Sequence, residues 1–153
     1  MHFEKAGQQQ RGVTLIELMI VIVILALIAS FAYPSYMNYV VDTKRTAATS
    51  ILLQVADRQQ QFFMDNKRFT NDLTNLGFTA NPLVIADDGR PMANAASADS
   101  TYSVALSNVT ATTYTITAAP LNGQASRDGK CGSLTLNQAL VKGSSGGDGD
   151  CWK

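Results

Sequence analysis

The segment Arg11-Gly12-Val13-Thr14-Leu15-Ile16-Glu17 opens an apolar run that continues to Tyr33, interrupted only by Thr14, Glu17 and Ser30. As a helix rising 1.5 Å per residue, Val13–Tyr33 measures about 31 Å, the thickness of a bilayer's hydrocarbon core. An acidic residue costs about 2.5–3.5 kcal/mol at mid-membrane and less near an end. No basic residue lies within the run to neutralise Glu17. Glu17 therefore reads as a group kept for a specific contact.

On the amino-terminal side, residues 1–12 carry Lys5 and Arg11 against Glu4. Positive charge beside an apolar run places that end in the cytoplasm. Beyond Pro34 the chain becomes polar and mixed, with 10 basic and 10 acidic side chains. A balanced surface creates no global field for nucleic acid or anionic lipid, although a local patch remains compatible with it. The 153 residues make room for one modest domain plus an anchor.

Pro34 is predicted to kink a helix rather than end it, because the periodic pattern resumes at once. Tyr36, Val40, Ala47, Ile51, Val55 and Phe62 form an apolar stripe, widened by Leu52, Ala56 and Phe63. The expected helix runs from about Thr14 to Met64, apolar all round through residue 34 and amphipathic over 35–64. Residues 65–100 read as an irregular connector rich in turn formers such as Asn81-Pro82 and Asp87-Asp88-Gly89. Alternation then predicts strands at Thr101–Leu106, Thr113–Ala119 and Ser133–Leu136, with a short fourth at Leu140–Lys142, so that the sheet lies within 101–142. An antiparallel sheet of three or four strands packed on the later part of the helix gives an α+β fold.

The chemistry-bearing residues are few. His2 is the one histidine, so a chain trimmed at Gly12 has no Ser-His or Cys-His pair and no His-ligated zinc site. Asp87 and Asp88 adjoin in a turn, where neighbouring carboxylates seldom converge on one substrate. The segment Ser144-Ser145-Gly146-Gly147-Asp148-Gly149-Asp150 offers two carboxylates at calcium-loop spacing but lacks the other ligands, and reads as a polar turn. No phosphate loop or metal-ligand cluster appears in the pattern. The chain reads as a non-enzyme without metal or cofactor.

The Gly12/Val13 junction followed by Thr-Leu-Ile-Glu resembles the prepilin processing site of type IV pilins. That resemblance implies cleavage after Gly12 by a prepilin peptidase, N-methylation of Val13, and pairing of Glu17 with the Val13 amine of a neighbouring subunit. Most type IV pilins begin the mature chain with Phe, a departure that bears on methylation. Tyr33-Pro34-Ser35-Tyr36-Met37-Asn38-Tyr39-Val40 resembles the PilE and ComP-like group, as do Phe69-Thr70-Asn71-Asp72-Leu73 and the tail from Tyr114 to Trp152. The implied fold has residues 13–34 as the membrane and assembly half of the helix, and 35–153 as a soluble head. In an exported chain the two cysteines, Cys131 and Cys151, form a disulfide, whose loop closure contributes roughly 3 kcal/mol by the chain-entropy model. The resemblance makes 131–151 a loop that offers contacts to partners.

The implied function is a structural subunit, of the minor-pilin kind, in a type IV pilus. It would sit in the inner membrane through residues 13–33, head in the periplasm, and then in the surface filament. Its implied partners are other pilins, the prepilin peptidase and the inner-membrane assembly platform. Two related readings stand beside it: a type II secretion pseudopilin, and a DNA-binding competence pilin. For the latter, Arg127, Lys130, Lys142 and Lys153 are the candidate phosphate contacts, with Asp128, Asp148 and Asp150 interspersed. A secretory signal peptide cut after Ala32 and an uncleaved anchor are the ordinary alternatives, and neither accounts for Gly12 and Glu17 together.

Overall fold

A computed structural model describes residues 12–92, 97–147 and 150–152. The chain divides into two compact units, Met1–Asn38 and Tyr39–Lys153. Helix α1 (Leu15–Asn66) begins in the first and supplies the first element of the second.

In the first unit, the Oγ1 of Thr14 accepts a hydrogen bond from the Glu17 backbone N–H at 3.3 Å and so caps the helix. Thr-x-x-Glu is capping-box spacing, a local signal in addition to the apolar run. Glu17 thereby falls in the first turn, where the helix dipole favours negative charge. The Ser30 hydroxyl donates to the Leu27 carbonyl at 2.7 Å, which satisfies it within the helix. Every residue from Gly12 to Tyr36 is exposed, and α1 contains a window of mean hydropathy 2.9 that is long and apolar enough to cross a membrane. A helix apolar on all faces with nothing packed on it needs lipid or other helices around it.

In the second unit, α1 becomes one-sided. Val41, Ala48, Ile51, Leu52, Val55, Ala56 and Gln59 are buried, a stripe that begins one residue out of step with the Tyr36–Val40–Ala47 line read from the sequence. Ala48, Ile51, Leu52, Val55 and Ala56 of this stripe join one hydrophobic core with Leu73, Leu76, Leu83, Ile85, Tyr102, Val104, Tyr114, Ile116, Leu134 and Leu136.

The sheet has six antiparallel strands rather than three or four, in the order β2-β1-β3-β4-β5-β6. They are β1 (Leu83–Ala86), β2 (Pro91–Met92), β3 (Ser100–Ser107), β4 (Thr115–Pro120), β5 (Leu134–Asn137) and β6 (Lys142–Ser144). The two additional strands lie in the expected irregular connector. β1 is buried at all four positions, so it shows no alternation to read. It lies between β2 and β3, with Leu83 opposite Val104 and Ile85 opposite Tyr102. Leu73–Leu76 forms a 3₁₀ turn capped by the Asp72 side chain, and a short helix, α2 (Asn122–Arg127), joins β4 to β5. β6 lies two residues beyond its expected start, because Gln138–Val141 is used as a turn.

The loop after α1 is held by a buried glutamine. Gln59 donates through Nε2 to the Thr70 carbonyl at 2.6 Å and accepts from the Thr70 N–H at 3.1 Å, so one side chain satisfies both backbone groups. By contrast, the buried Tyr114 hydroxyl has no partner of good hydrogen-bond geometry among the described residues, only a weaker interaction with the Gln60 side chain. Replacing Gln59 by Leu leaves two buried polar groups unpaired, at about 1–3 kcal/mol each. Urea unfolding of the full chain in detergent is expected to show that loss, whereas Tyr114→Phe is expected to be neutral or stabilising. Equal stability of Gln59→Leu and wild type would contradict this account of the loop.

Candidate functional site

The residues singled out by sequence fall in two places. Gly12, Val13, Glu17 and Pro34 belong to the first unit, all exposed, with Pro34 inside an uninterrupted α1. The cysteines and basic residues belong to the second, and their placement begins with Asp128.

Asp128 follows α2 and its side chain is completely buried. Arg45, on α1, reaches it with two donors, Nε to Oδ2 at 3.1 Å and Nη2 to Oδ1 at 2.5 Å. The Tyr102 hydroxyl on β3 donates to Oδ2 at 2.5 Å. Gln124, on α2, donates to Oδ2 at 3.3 Å, to the Tyr102 hydroxyl at 3.0 Å and to the Val41 carbonyl at 3.2 Å. The bonded carboxylate holds the Arg45 pKa above its usual value, against the opposing effect of burial. Burial, reinforced by the bond to Asp128, pushes the Tyr102 phenol well above its usual value. The Asp128 carbonyl also accepts from the Cys131 and Gly132 N–H groups at 3.1 and 2.8 Å. One residue thus ties α1, α2 and β3 to the start of the disulfide segment.

Cys131 and Cys151 are bonded, with Cα atoms 5.5 Å apart. Between them the segment folds back as β5, a turn and β6. Its return is close-packed at Gly146, where a Cβ would lie 1.9 Å from the Lys130 carbonyl oxygen. Trp152 donates through Nε1 to the Gly143 carbonyl at 2.9 Å, and the Lys142 ammonium stands 5.5 Å from the centre of the Trp152 ring.

Lys130 lies immediately before the disulfide-closed segment and Lys142 at the start of β6 within it, with Arg127 at the end of α2. Among the described residues none of these three forms an ion pair. Lys153 and Asp148 lie outside the described residues. Asp128 does not stand among the surface cations as the sequence suggested. Its carboxylate is internal and committed to Arg45, because α2 turns that side chain toward α1. Asp87 and Asp88 separate, one to Lys44 at 2.6 Å and the other to Arg90 at 2.5 Å, so they do not form a carboxylate pair. Among the described residues no group of three or more His, Cys, Asp or Glu converges on a metal position. A further feature had no sequence signal: an open cavity of about 410 Å³ lined by Phe62, Arg68, Phe69, Asn71, Val109 and Thr110. Its walls come from α1, the following loop and the β3–β4 turn, which only the fold brings together.

An apolar anchor helix followed by a sheet-packed head defines the class of type IV pilins, and the sequence comparisons agree. Residues 7–33 match the prokaryotic N-terminal methylation motif. Residues 34–135 match the family described as type IV minor pilin ComP, DNA uptake sequence receptor, and the chain belongs to that family. Similar curated proteins include the type IV major pilin protein PilA of Myxococcus xanthus, 31 % identical over 51 % of this chain and 36 % of the relative. The type IV major fimbrial protein FimA of Dichelobacter nodosus is 33 % identical over 59 % and 56 %. The type II secretion system core protein G of Klebsiella pneumoniae is 36 % identical over 56 % and 59 %. The chain thus spans between about a third and three fifths of the length of these relatives. None of these names is that of an enzyme.

Removing one partner of a buried ion pair typically costs about 3–5 kcal/mol. Asp128→Ala, which strands Arg45 and unties α2, is expected to destabilise the full chain by that amount in urea unfolding. Asp42→Ala, which removes only the solvent-facing partner of Arg45, is expected to change stability by less than about 1 kcal/mol. Equal effects of the two substitutions would contradict the assignment of Asp128 as the tie.

Proposed function

We propose that the chain is a minor subunit of a type IV pilus whose head contacts duplex DNA. It enters the inner membrane through residues 13–33 with the head in the periplasm, is cut after Gly12 by the prepilin peptidase, is methylated on Val13, and passes through the assembly platform into a surface filament with other pilins. The observation that carries this reading is the family match over residues 34–135, directly behind an exposed apolar helix that starts at the methylation motif. The work assigned to the protein is assembly and binding, not catalysis.

Glu17 is the assembly residue in this account. Cleavage creates a cationic amine at Val13, and a carboxylate in the first turn of a neighbouring helix neutralises it. Pairs of this kind fix register more than they add stability. Glu17→Gln is expected to give a chain that is still processed yet missing from sheared filaments. Normal incorporation of that variant would contradict the role of Glu17. The pseudopilin reading rests on relatives such as core protein G; the ComP-family match favours the pilus.

The DNA reading is supported by the family description and by the cations Arg127, Lys130 and Lys142, which form no ion pair among the described residues. Each phosphate neutralised steepens the fall of log affinity with log salt by about 0.9. The full chain in detergent is expected to bind duplex DNA at low salt. Replacing Lys130 and Lys142 by Ala is expected to make that slope shallower by about 0.9 for each phosphate no longer neutralised. No binding at low salt would sink the DNA reading and leave the subunit reading in place.

A further inference from the structure

The turn between β5 and β6, Gln138-Ala139-Leu140-Val141, combines three features that folding does not require of each other. Leu140 has φ +58, in the left-handed region that bulky side chains rarely occupy and that Gly or Asn adopts more cheaply. Leu140 is 59 % exposed and Val141 61 % exposed. The backbone beneath them is nonetheless fixed. Asn137 accepts through Oδ1 from the Ala139 and Val141 N–H groups, both at 3.0 Å, and through its carbonyl from the Leu140 N–H at 2.9 Å. Gln138 accepts from the Tyr114 N–H at 3.3 Å, which ties the turn to the segment leading into β4. A strained apolar residue presented to solvent on a rigid support points to an external contact, and its rigidity keeps the ordering cost of that contact low.

The surroundings favour nucleic acid over protein. Lys142 follows Val141 directly and has no ion pair among the described residues. Thr115 pairs with Asn137, so the β3–β4 turn lies at the same end of the sheet, and its residues 108–113 carry no charge. The loop bordering that turn across the cavity contributes a second cation, Arg68. A stable protein interface needs about 800 Å² per partner with an apolar centre. Two apolar side chains among amides and hydroxyls fall short of that, but they suffice for a wedge. DNA-bending proteins insert apolar side chains such as Leu, Ile or Phe between base steps, and Lys or Arg side chains neutralise nearby phosphates.

We propose that Leu140 is such a wedge, entering a base step of duplex DNA while Lys142 meets an adjacent phosphate. This inference rests on the DNA reading above. It is tested with the full chain in detergent and a panel of duplexes carrying 2-aminopurine at single TA, CA and TG steps, which unstack most readily. Binding is followed by anisotropy and unstacking by 2-aminopurine fluorescence. Wild type is expected to raise that fluorescence several-fold at one class of step. Leu140→Asn suits the left-handed backbone, and is expected to melt no lower than wild type, to retain the salt dependence, and to lose the fluorescence rise. Binding without any rise across the panel, or an equal rise with Leu140→Asn, overturns the wedge and leaves DNA binding intact. An absence of wild-type binding at low salt overturns both. If Leu140→Asn leaves binding and fluorescence unchanged but lowers recovery in sheared filaments, the turn is a contact between subunits and the wedge is wrong.

Discussion

Between Val41 and Gln59 helix α1 buries one stripe, and the head is arranged by what that stripe needs. Its apolar members from Ala48 to Ala56 join the sheet residues Tyr102, Val104, Ile116 and Leu136 in one core. Polar side chains near its two ends reach across to hold the irregular parts of the chain. Near the start, Arg45 holds Asp128, and with it α2 and the first residues of the disulfide segment. Near the end, Gln59 holds the loop that leads toward β1. A buried polar group left without a partner is costly, and at Asp128 and Thr70 the partners supplied by α1 are what fix the loops.

The features legible in the sequence are those with a period or a composition of their own. The Val13–Tyr33 run stands out because it is apolar on every face, with only Thr14, Glu17 and Ser30 interrupting it. The alternation of Tyr102, Val104 and Leu106 and of Tyr114, Ile116 and Ala118 marks β3 and β4. β1 escapes because a strand flanked on both sides and buried on both faces shows only a short apolar run, Leu83-Val84-Ile85-Ala86, amid turn residues. β2 has two residues and no pattern at all. The stripe on α1 is only partly legible because Gln59 and Thr49 are buried while polar, and a hydrophobic pattern cannot include them.

The site residues show a similar division. Gly12, Val13 and Glu17, the proposed processing and assembly residues, stand out in the sequence because their reading depends on local order along the chain. Asp128 cannot, since a carboxylate after a turn normally faces water, and only the path of α2 turns it toward Arg45. Its burial also changes the local charge around α2. With Asp128 occupied inside, Arg127 and Lys130 lose the neighbouring charge that sequence order had given them. The segment closed by Cys131 and Cys151 carries Lys142, with Lys130 just before it, on a framework that the disulfide, Trp152 and the close packing at Gly146 keep in place. The two units thus contrast: an apolar helix capped by Thr14 in the first, and a small braced sheet in the second.

The most direct test of the central claim is the intact mass of the chain recovered from sheared surface filaments. The account predicts a species that begins at Val13, heavier by one methyl group and lighter by the two hydrogens of the disulfide. A species that starts at Tyr33 or retains residues 1–12, or a chain absent from the filament fraction, would contradict it.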